Sequence, residues 1–257
     1  MNPVDKITAG LRHAGAALEP FTPGAIEARR KDGGDPVTDA DLAVNEVLRQ
    51  FLPEPGDGWL SEETADDHAR LGCDRVWIVD PVDGTREFIM GLPEWCVSIG
   101  LVEDGVPVAG GIYNPAAGHL IVGSVGTGVT LNGALVNKHW PPDLAGLTVL
   151  ASRSEVTRGE WDRFDGAAFS ICPMGSVAYK LGRVAAGLNG ATWTLVPKNE
   201  WDVAAGVALV HASGGRAVTT DGSLRHFNQP NPRLPGFVAT GPGLDSTVLG
   251  FLAIPVA

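Results

Sequence analysis

Asp80 and Asp83 stand three residues apart in the string WIVDPVDGTREF, which runs from Trp77 to Phe88. Two carboxylates so spaced, on the turn after an apolar strand, converge on one small volume. Like charges that close are costly unless a proton or a cation is shared between them. A hard cation held by oxygen ligands is the economical solution, and an ordinary Asp-Gly turn is the plainer one. Three further acids stand where ordered elements start or end: Asp41 in VTDAD, Glu62 in SEET and Asp202 in NEWDVAAG. Each has an everyday reading. Asp41 closes a capping box with Thr38, Glu62 belongs to a solvated acidic loop, and Asp202 favours the dipole of a helix start. Gathered in one cleft, the five could instead hold two or three magnesium ions, with a phosphate completing the coordination.

The elements that must position them are legible from periodicity and punctuation. Val76 to Val79 is a β-branched run that reads as a buried strand, and Pro81 cannot continue a ladder, so a turn is expected there. Gly84 then permits the tight geometry that sets Thr85 at the start of a short helix, as its cap. Upstream, Ile7, Leu11, Ala14 and Leu18 recur at helical spacing over residues 5–18. Gly24 to Lys31 reads as a strand and residues 32–36 as a turn-rich loop. Arg29, Arg30 and Lys31 are read as solvated charges, with a phosphate contact as the alternative. A helix runs from Thr38 to about Leu52, where Pro53 and Pro55 stop it. Residues 58–67 read as a brief strand entering an acidic loop. Residues 94–115 read as antiparallel strands joined by Asp104-Gly105, and residues 119–133 as another strand pair, closed by Asn132-Gly133. From Leu147 the rhythm becomes strand and helix in alternation, with helices expected over 154–164, after Gly175, after Glu200 and at the C-terminus. The fold expected is α+β over residues 1–140, dominated by an antiparallel sheet, followed by an α/β half over 141–257, with the junction in HWPPDLAG.

Composition narrows the partners. A chain of 257 residues with 44% hydrophobic and 19% charged residues can bury a large core. The formal net charge of −11 argues against a nucleic-acid polymer or an anionic membrane as partner. A small phosphorylated metabolite stays compatible, because bound divalent cations reverse the local sign. The three cysteines are widely spaced and suggest neither a disulfide framework nor a zinc site, so free thiols in a reducing compartment are expected. The first ten residues carry no apolar core of signal-peptide length, which makes the cytoplasm the default.

The order VTDAD, SEET, WIVDPVDGTREF, GSVAYKLGRVAAG, NEWDVAAG resembles the inositol monophosphatase superfamily of lithium-sensitive, magnesium-dependent phosphatases. The resemblance spans roughly residues 30–215, and DPVDGT with WDVAAG makes a specific pair. It implies a layered αβαβα sandwich of the sugar-phosphatase type, usually a homodimer. It implies that Glu62, Asp80 and the Val82 carbonyl hold a first metal ion, that Asp80, Asp83 and Asp202 hold a second, and that Glu62 shares a third, hydrated one. Thr85 and Asp41 would aim and deprotonate the attacking water, with Glu62 as part of the same machinery. The amides of Gly84 and Thr85 would hold phosphate oxygens. Ser176, Val177 and Ala178 match the substrate-contact loop, with Asp83 and Asp202 also facing substrate. REF after DPVDGT, Lys180 and Glu200 resemble the 3′(2′),5′-bisphosphate nucleotidase branch, in which Lys180 and Arg86 would serve a second phosphate. For Lys180 the competing reading is a surface lysine lying along an Ala-rich helix. An inositol-1-monophosphatase or another sugar or polyol phosphatase is the alternative, and a catalytically silent metal-binding scaffold is the alternative of another class.

Overall fold

The computed structural model describes residues 1–30, 35–223 and 226–255. Helix α1 (Pro3–Leu18) is followed by a hairpin of β1 (Ala28–Arg30) and β2 (Pro36–Thr38) and by α2 (Asp39–Phe51). A seven-stranded sheet then forms from β3 (Gly58–Ser61), β4 (Arg75–Asp83), β5 (Cys96–Glu103), β6 (Val106–Asn114), β7 (His119–Ser124), β8 (Gly128–Leu131) and β9 (Ala134–Leu135), neighbours in that order. Its β3 and β4 are parallel and the other pairs antiparallel. The short helix α3 (Thr85–Ile89) interrupts it between β4 and β5.

The second half contributes β10 (Thr148–Ser152), α4 (Arg153–Thr157), β11 (Ser170–Met174), α5 (Val177–Ala185), β12 (Ala191–Thr194), β13 (Lys198–Asn199), α6 (Glu200–Ala212), β14 (Arg216–Thr219), β15 (Arg233–Leu234), β16 (Phe237–Thr240) and α7 (Asp245–Phe251). Five of these strands make a sheet in the order β11-β10-β12-β16-β14, and β13 pairs with β15 apart from it. Strand β10 runs parallel to both its neighbours, so β10, β11 and β12 end on the same edge.

The layers follow from side-chain alternation. In β4, Trp77 and Val79 face a core with Ile7, Leu11, Val44 and Leu48 of α1 and α2, while Val76 and Ile78 face the opposite way. That second face packs on Leu181 and Val184 of α5 and on Val203, Ala204 and Val207 of α6, which lean in turn on Leu150 and Ala239 of the five-stranded sheet. A third core behind that sheet joins Val149, Trp193 and Val238 to Val248 and Leu249 of α7. The result is the αβαβα sandwich. Helix α6 lies flush against the large sheet because the sheet has no side chain there. A Cβ on Gly110 would sit 2.3 Å from the Ala205 carbonyl oxygen, and one on Gly100 would sit 2.9 Å from the Ala205 nitrogen.

Four local expectations change. Strand β4 does not stop at Asp80. It pairs Asp80 with Ser98 and Asp83 with Cys96, so three steps on β4 match two on β5. Pro81 sits inside that bulge, where the lack of an N–H costs nothing. Thr85 is the first residue of α3 and Gly84 its cap, at φ 97°. The helix expected over 154–164 is a single turn, α4, and a separate 3-10 turn at Asp162–Phe164, divided by Gly159 at φ 76°. The strand expected over Gly24 to Lys31 is confined to Ala28–Arg30, with Gly24 at φ 82°; Lys31 and residues 32–34 lie outside the described residues. No helix among the described residues is long and apolar enough to cross a membrane.

Candidate active site

The acids singled out in the sequence come from four places in the chain, α2, the turn after β3, β4 and α6; Glu62, Asp80, Asp83 and Asp202 line one cavity of about 630 Å³, and the buried Asp41 reaches it through Thr85. Its lining includes Glu62, Asp80, Val82, Asp83, Gly84, Thr85, Ser176, Val177, Lys180 and Asp202. Asp80, Asp83 and Asp202 each bring a carboxylate oxygen within 4.8 Å of the other two. Glu62, just past β3, lines the same cavity, and its charge acts on both Asp80 and Asp202.

The capping and site readings of these acids are not rivals, because a carboxylate has two oxygens. Asp41 Oδ2 accepts the Thr38 amide at 2.9 Å and the Thr38 hydroxyl at 2.6 Å, closing the start of α2. Its Oδ1 accepts the Thr85 hydroxyl at 3.1 Å. Asp202 Oδ2 accepts the Asn199 amide at 2.8 Å at the start of α6. Asp83 Oδ2 accepts the Ser176 hydroxyl and the Ala178 amide, each at 2.6 Å, at the start of α5. Asp80 Oδ1 accepts the Val82 amide at 3.1 Å. Each carboxylate is thus fixed by one oxygen. The second oxygen of Asp80, Asp83 and Asp202 makes no hydrogen bond among the described residues.

Ser176 is held for this purpose. It adopts φ 54°, rare for a residue with a side chain, while its hydroxyl donates to Asp83 and accepts the Tyr179 amide at 3.0 Å. Ser176 and Ala178 therefore act on Asp83; Ser176 also borders the cavity, whereas Ala178, expected there, is buried behind it and reaches the site only through its amide. The Thr85 hydroxyl lies between Asp41 Oδ1 and the Val82 carbonyl oxygen, 3.0 Å away.

The electrostatics show what the cluster lacks. Burial, then the charges of Glu62, Asp83, Asp202 and Asp41, push the Asp80 carboxyl well above its ordinary range. Burial and Asp83 raise Asp202 to about 7. Burial also raises Asp83, against the hydrogen bonds from Ser176 and Ala178, and it raises Asp41. Such a set ionises fully near neutral pH only when cations join it, and an all-oxygen donor set suits hard divalent ions. The residues present fit a magnesium-type site.

Lys180 is not a surface lysine: it is 2% exposed, lines the cavity and donates to the Met174 carbonyl at 3.2 Å. Arg86 is exposed at the rim and pairs with Asp35. Of the REF triplet, Glu87 also faces the cavity, its carboxyl raised by burial, and it lies so close over Gly175 that a Cβ there would meet it at 2.4 Å. Glu200 lies away from the cavity and accepts the Asn228 and Gln229 amides. Arg29 pairs with Asp39 on the surface.

Sequence reading missed part of the lining. Ser152 ends β10 and Arg153, Ser154 and Arg158 follow it, Met174 ends β11 and Gly175 follows it, and Pro197 and Lys198 come after β12. The available signal was their place after three parallel strands, the edge where α/β sheets build binding clefts.

A five-layer αβαβα sandwich with carboxylates converging at strand and helix ends defines a phosphoric monoester hydrolase of the sugar-phosphatase type. The chain belongs to the inositol monophosphatase family, whose sequence profile matches residues 5–243. It is 31% identical over 237 residues to inositol monophosphatase 2 of Solanum lycopersicum, covering 80% of this chain and 89% of that one. It is 34% identical over 212 residues to the histidinol-phosphatase of Mycobacterium tuberculosis, covering 77% and 80%. Among solved structures, the Thermotoga maritima IMPase superposes with a TM-score of 0.82 at 26% identity, covering 98% of this chain and 97% of that one.

Proposed function

We propose that this phosphatase works with two to three Mg²⁺ ions per site and that its substrate is a small metabolite with two phosphates, of the adenosine 3′,5′-bisphosphate kind. Glu62, Asp80 and the Val82 carbonyl hold one ion, Asp80, Asp83 and Asp202 a second, and Glu62 shares a third. The convergence of Asp80, Asp83 and Asp202 within 4.8 Å carries the reading. When bound, the ions acidify the attacking water and steady the departing oxygen. The Thr85 hydroxyl aims that water, and Asp41 Oδ1, already bonded to Thr85, receives its proton. Burial raises the basicity of Asp41, which suits it to that task. The amides of Gly84 and Thr85 and the Ser176–Ala178 turn border the phosphate. A covalent intermediate is unnecessary, since phosphoryl transfer rests on positioning and charge neutralisation.

The buried Lys180 favours a doubly phosphorylated substrate over inositol 1-phosphate. Inositol 1-phosphate and other polyol phosphates form the second reading, consistent with the names of several relatives. A cytoplasmic homodimer, inhibited by lithium, completes the proposal and rests on the family resemblance. Phosphate release from adenosine 3′,5′-bisphosphate, inositol 1-phosphate, fructose 1,6-bisphosphate and histidinol phosphate, with Mg²⁺ and with chelator, tests it. The bisphosphate nucleotide should give the highest kcat/KM, and only with Mg²⁺. The folded Asp83→Asn variant should lose nearly all turnover. Phosphate release independent of Mg²⁺, or an Asp83→Asn enzyme within a few-fold of wild type, contradicts the metal role, and a preference for inositol 1-phosphate assigns the chain to the second reading.

A further inference from the structure

Glu94, in the loop between α3 and β5, touches both the turn that follows Asp83 and the turn that holds the Asp83 carboxylate. Its main chain abuts the first, since a Cβ on Gly84 would sit 2.8 Å from the Glu94 carbonyl oxygen. Its side chain, mostly buried, crosses to the second half of the chain. There Oε2 accepts the Gly175 amide at 2.7 Å. The same oxygen accepts Arg153 Nε at 3.2 Å and Nη2 at 2.6 Å. Arg153 opens α4 after β10 and Gly175 follows β11, so one carboxylate ties the α3–β5 loop to two strand ends.

Gly175 stands directly before Ser176, whose φ of 54° is a conformation that residues with side chains disfavour. Such a residue keeps its conformation only where its surroundings over-determine it. On the α5 side, the Ser176 hydroxyl accepts the Tyr179 amide and donates to Asp83. On the β11 side, Glu94 grips the Gly175 amide. An ionised acceptor makes a strong hydrogen bond to an amide, and Arg153 holds that acceptor in place. The same pairing offsets a charge that would otherwise stand uncompensated near an acidic cluster. Without Glu94 the Gly175 amide loses this acceptor, and Ser176 is free to relax. Asp83 then loses its hydroxyl donor.

We propose that Glu94 is a positioning residue of this phosphatase, setting the orientation of Asp83, and with it the affinity for divalent metal, through Gly175 and Ser176. This rests on the reading of Asp83 as a metal ligand. Glu94 does not line the cavity and takes no part in the chemical step.

Mn²⁺ binding to the substrate-free protein, measured by calorimetry, tests this. Glu94→Ala should weaken binding roughly tenfold, within the range for a lost charged hydrogen bond, and should raise the Mg²⁺ concentration for half-maximal turnover by a similar factor. Glu94→Gln, which keeps an acceptor for the Gly175 amide, should recover most of the loss. Ser176→Ala should weaken Mn²⁺ binding comparably. Adding Glu94→Ala to it should cost no more than about a further twofold, because both act along one path. Thermal melts establish that each variant is folded at the assay temperature. Glu94→Asp, one methylene short of Gly175, replaces Glu94→Ala if the latter does not fold. If Glu94 only ties the two halves together, its loss lowers Tm and leaves Mn²⁺ affinity within about twofold of wild type. That result overturns the proposal while the metal reading stands. Independent, multiplying losses from Glu94→Ala and Ser176→Ala overturn it in the same way. An Asp83→Asn protein with unchanged Mn²⁺ affinity removes the metal reading and this inference with it.

Discussion

Thr85 donates to Asp41, the carboxylate proposed to take the proton, and to the Val82 carbonyl beside the acidic cluster, so its removal separates aiming from binding. Thr85→Ala should lower kcat by on the order of 10²-fold and leave the Mg²⁺ requirement within a few-fold. Steady-state kinetics across a Mg²⁺ series reads both, and a variant of lowered Tm whose folded fraction keeps the wild-type kcat would reduce Thr85 to a structural tie. The carboxylates give a second expectation. Their folded pKa values are raised above the unfolded ones, so the metal-free protein binds more protons than the unfolded chain between the ordinary Asp range and about 7. Stability is therefore full at acid pH and falls as pH rises through that window. Thermal melts in chelator should show Tm dropping from about pH 5 to pH 8, with the stabilisation by added Mg²⁺ larger at the upper end. A metal-free Tm that rises over this range contradicts the cluster electrostatics. At this scale the sequence was informative, because Asp41, Asp80, Asp83 and Asp202 sit in punctuated turns and caps. It did not show that one oxygen of each is spent on the fold. Lys180 could not be placed from its neighbours, since an Ala-rich helix looks the same whether its lysine faces solvent or a cleft.

Among the elements, α6 matters most, for it carries Asp202 to the end of β4. Its position depends on two sheet glycines that lie under Ala204 and Ala205. Gly110→Ala puts a methyl against the Ala205 carbonyl, and the whole helix must shift. A loss of about 1–3 kcal/mol or more is expected in urea unfolding, with weakened Mg²⁺ affinity in the surviving folded fraction. Gly72→Ala, which meets nothing within 4 Å, is the control and should stay near wild type. Equal stability of the two variants would mean that α6 is not seated by close packing. The small-residue run WDVAAGVA signalled a helix, but nothing in it said which surface it lies on. Turn chemistry was more readable. Asp104-Gly105 joins β5 to β6, with Asp104 at φ 49° and Gly105 at φ 76°. Asn132-Gly133 joins β8 to the short β9, a strand the sequence did not announce because its two residues carry no pattern. The bulge at Pro81 was misread as a strand end, since a proline marks a missing donor and cannot say whether the partner strand adapts.

At the scale of the molecule, the change of rhythm near residue 140 separates the strands of the large sheet, which end at Leu135, from those of the five-stranded sheet, which begin at Thr148. The two patterns are bound together by α5 and α6, whose side chains belong to the core shared by both sheets. We infer that the halves unfold as one unit. The same arrangement makes the cleft, with Glu62, Asp80 and Asp83 from the first half and Asp202, Ser176, Lys180 and Lys198 from the second. Layer order was predictable from alternating strand faces and helix periodicity. The cations of the lining were not, because they come as single residues after three strands that are distant in sequence. The central claim is that these carboxylates hold the ions that support phosphate release. Crystals grown with Mn²⁺, at a concentration that supports full phosphatase activity, test it by anomalous scattering. Peaks should lie between Asp80, Asp83 and Asp202 and between Asp80, Glu62 and the Val82 carbonyl. An active enzyme whose crystals show no anomalous peak among these residues would contradict it.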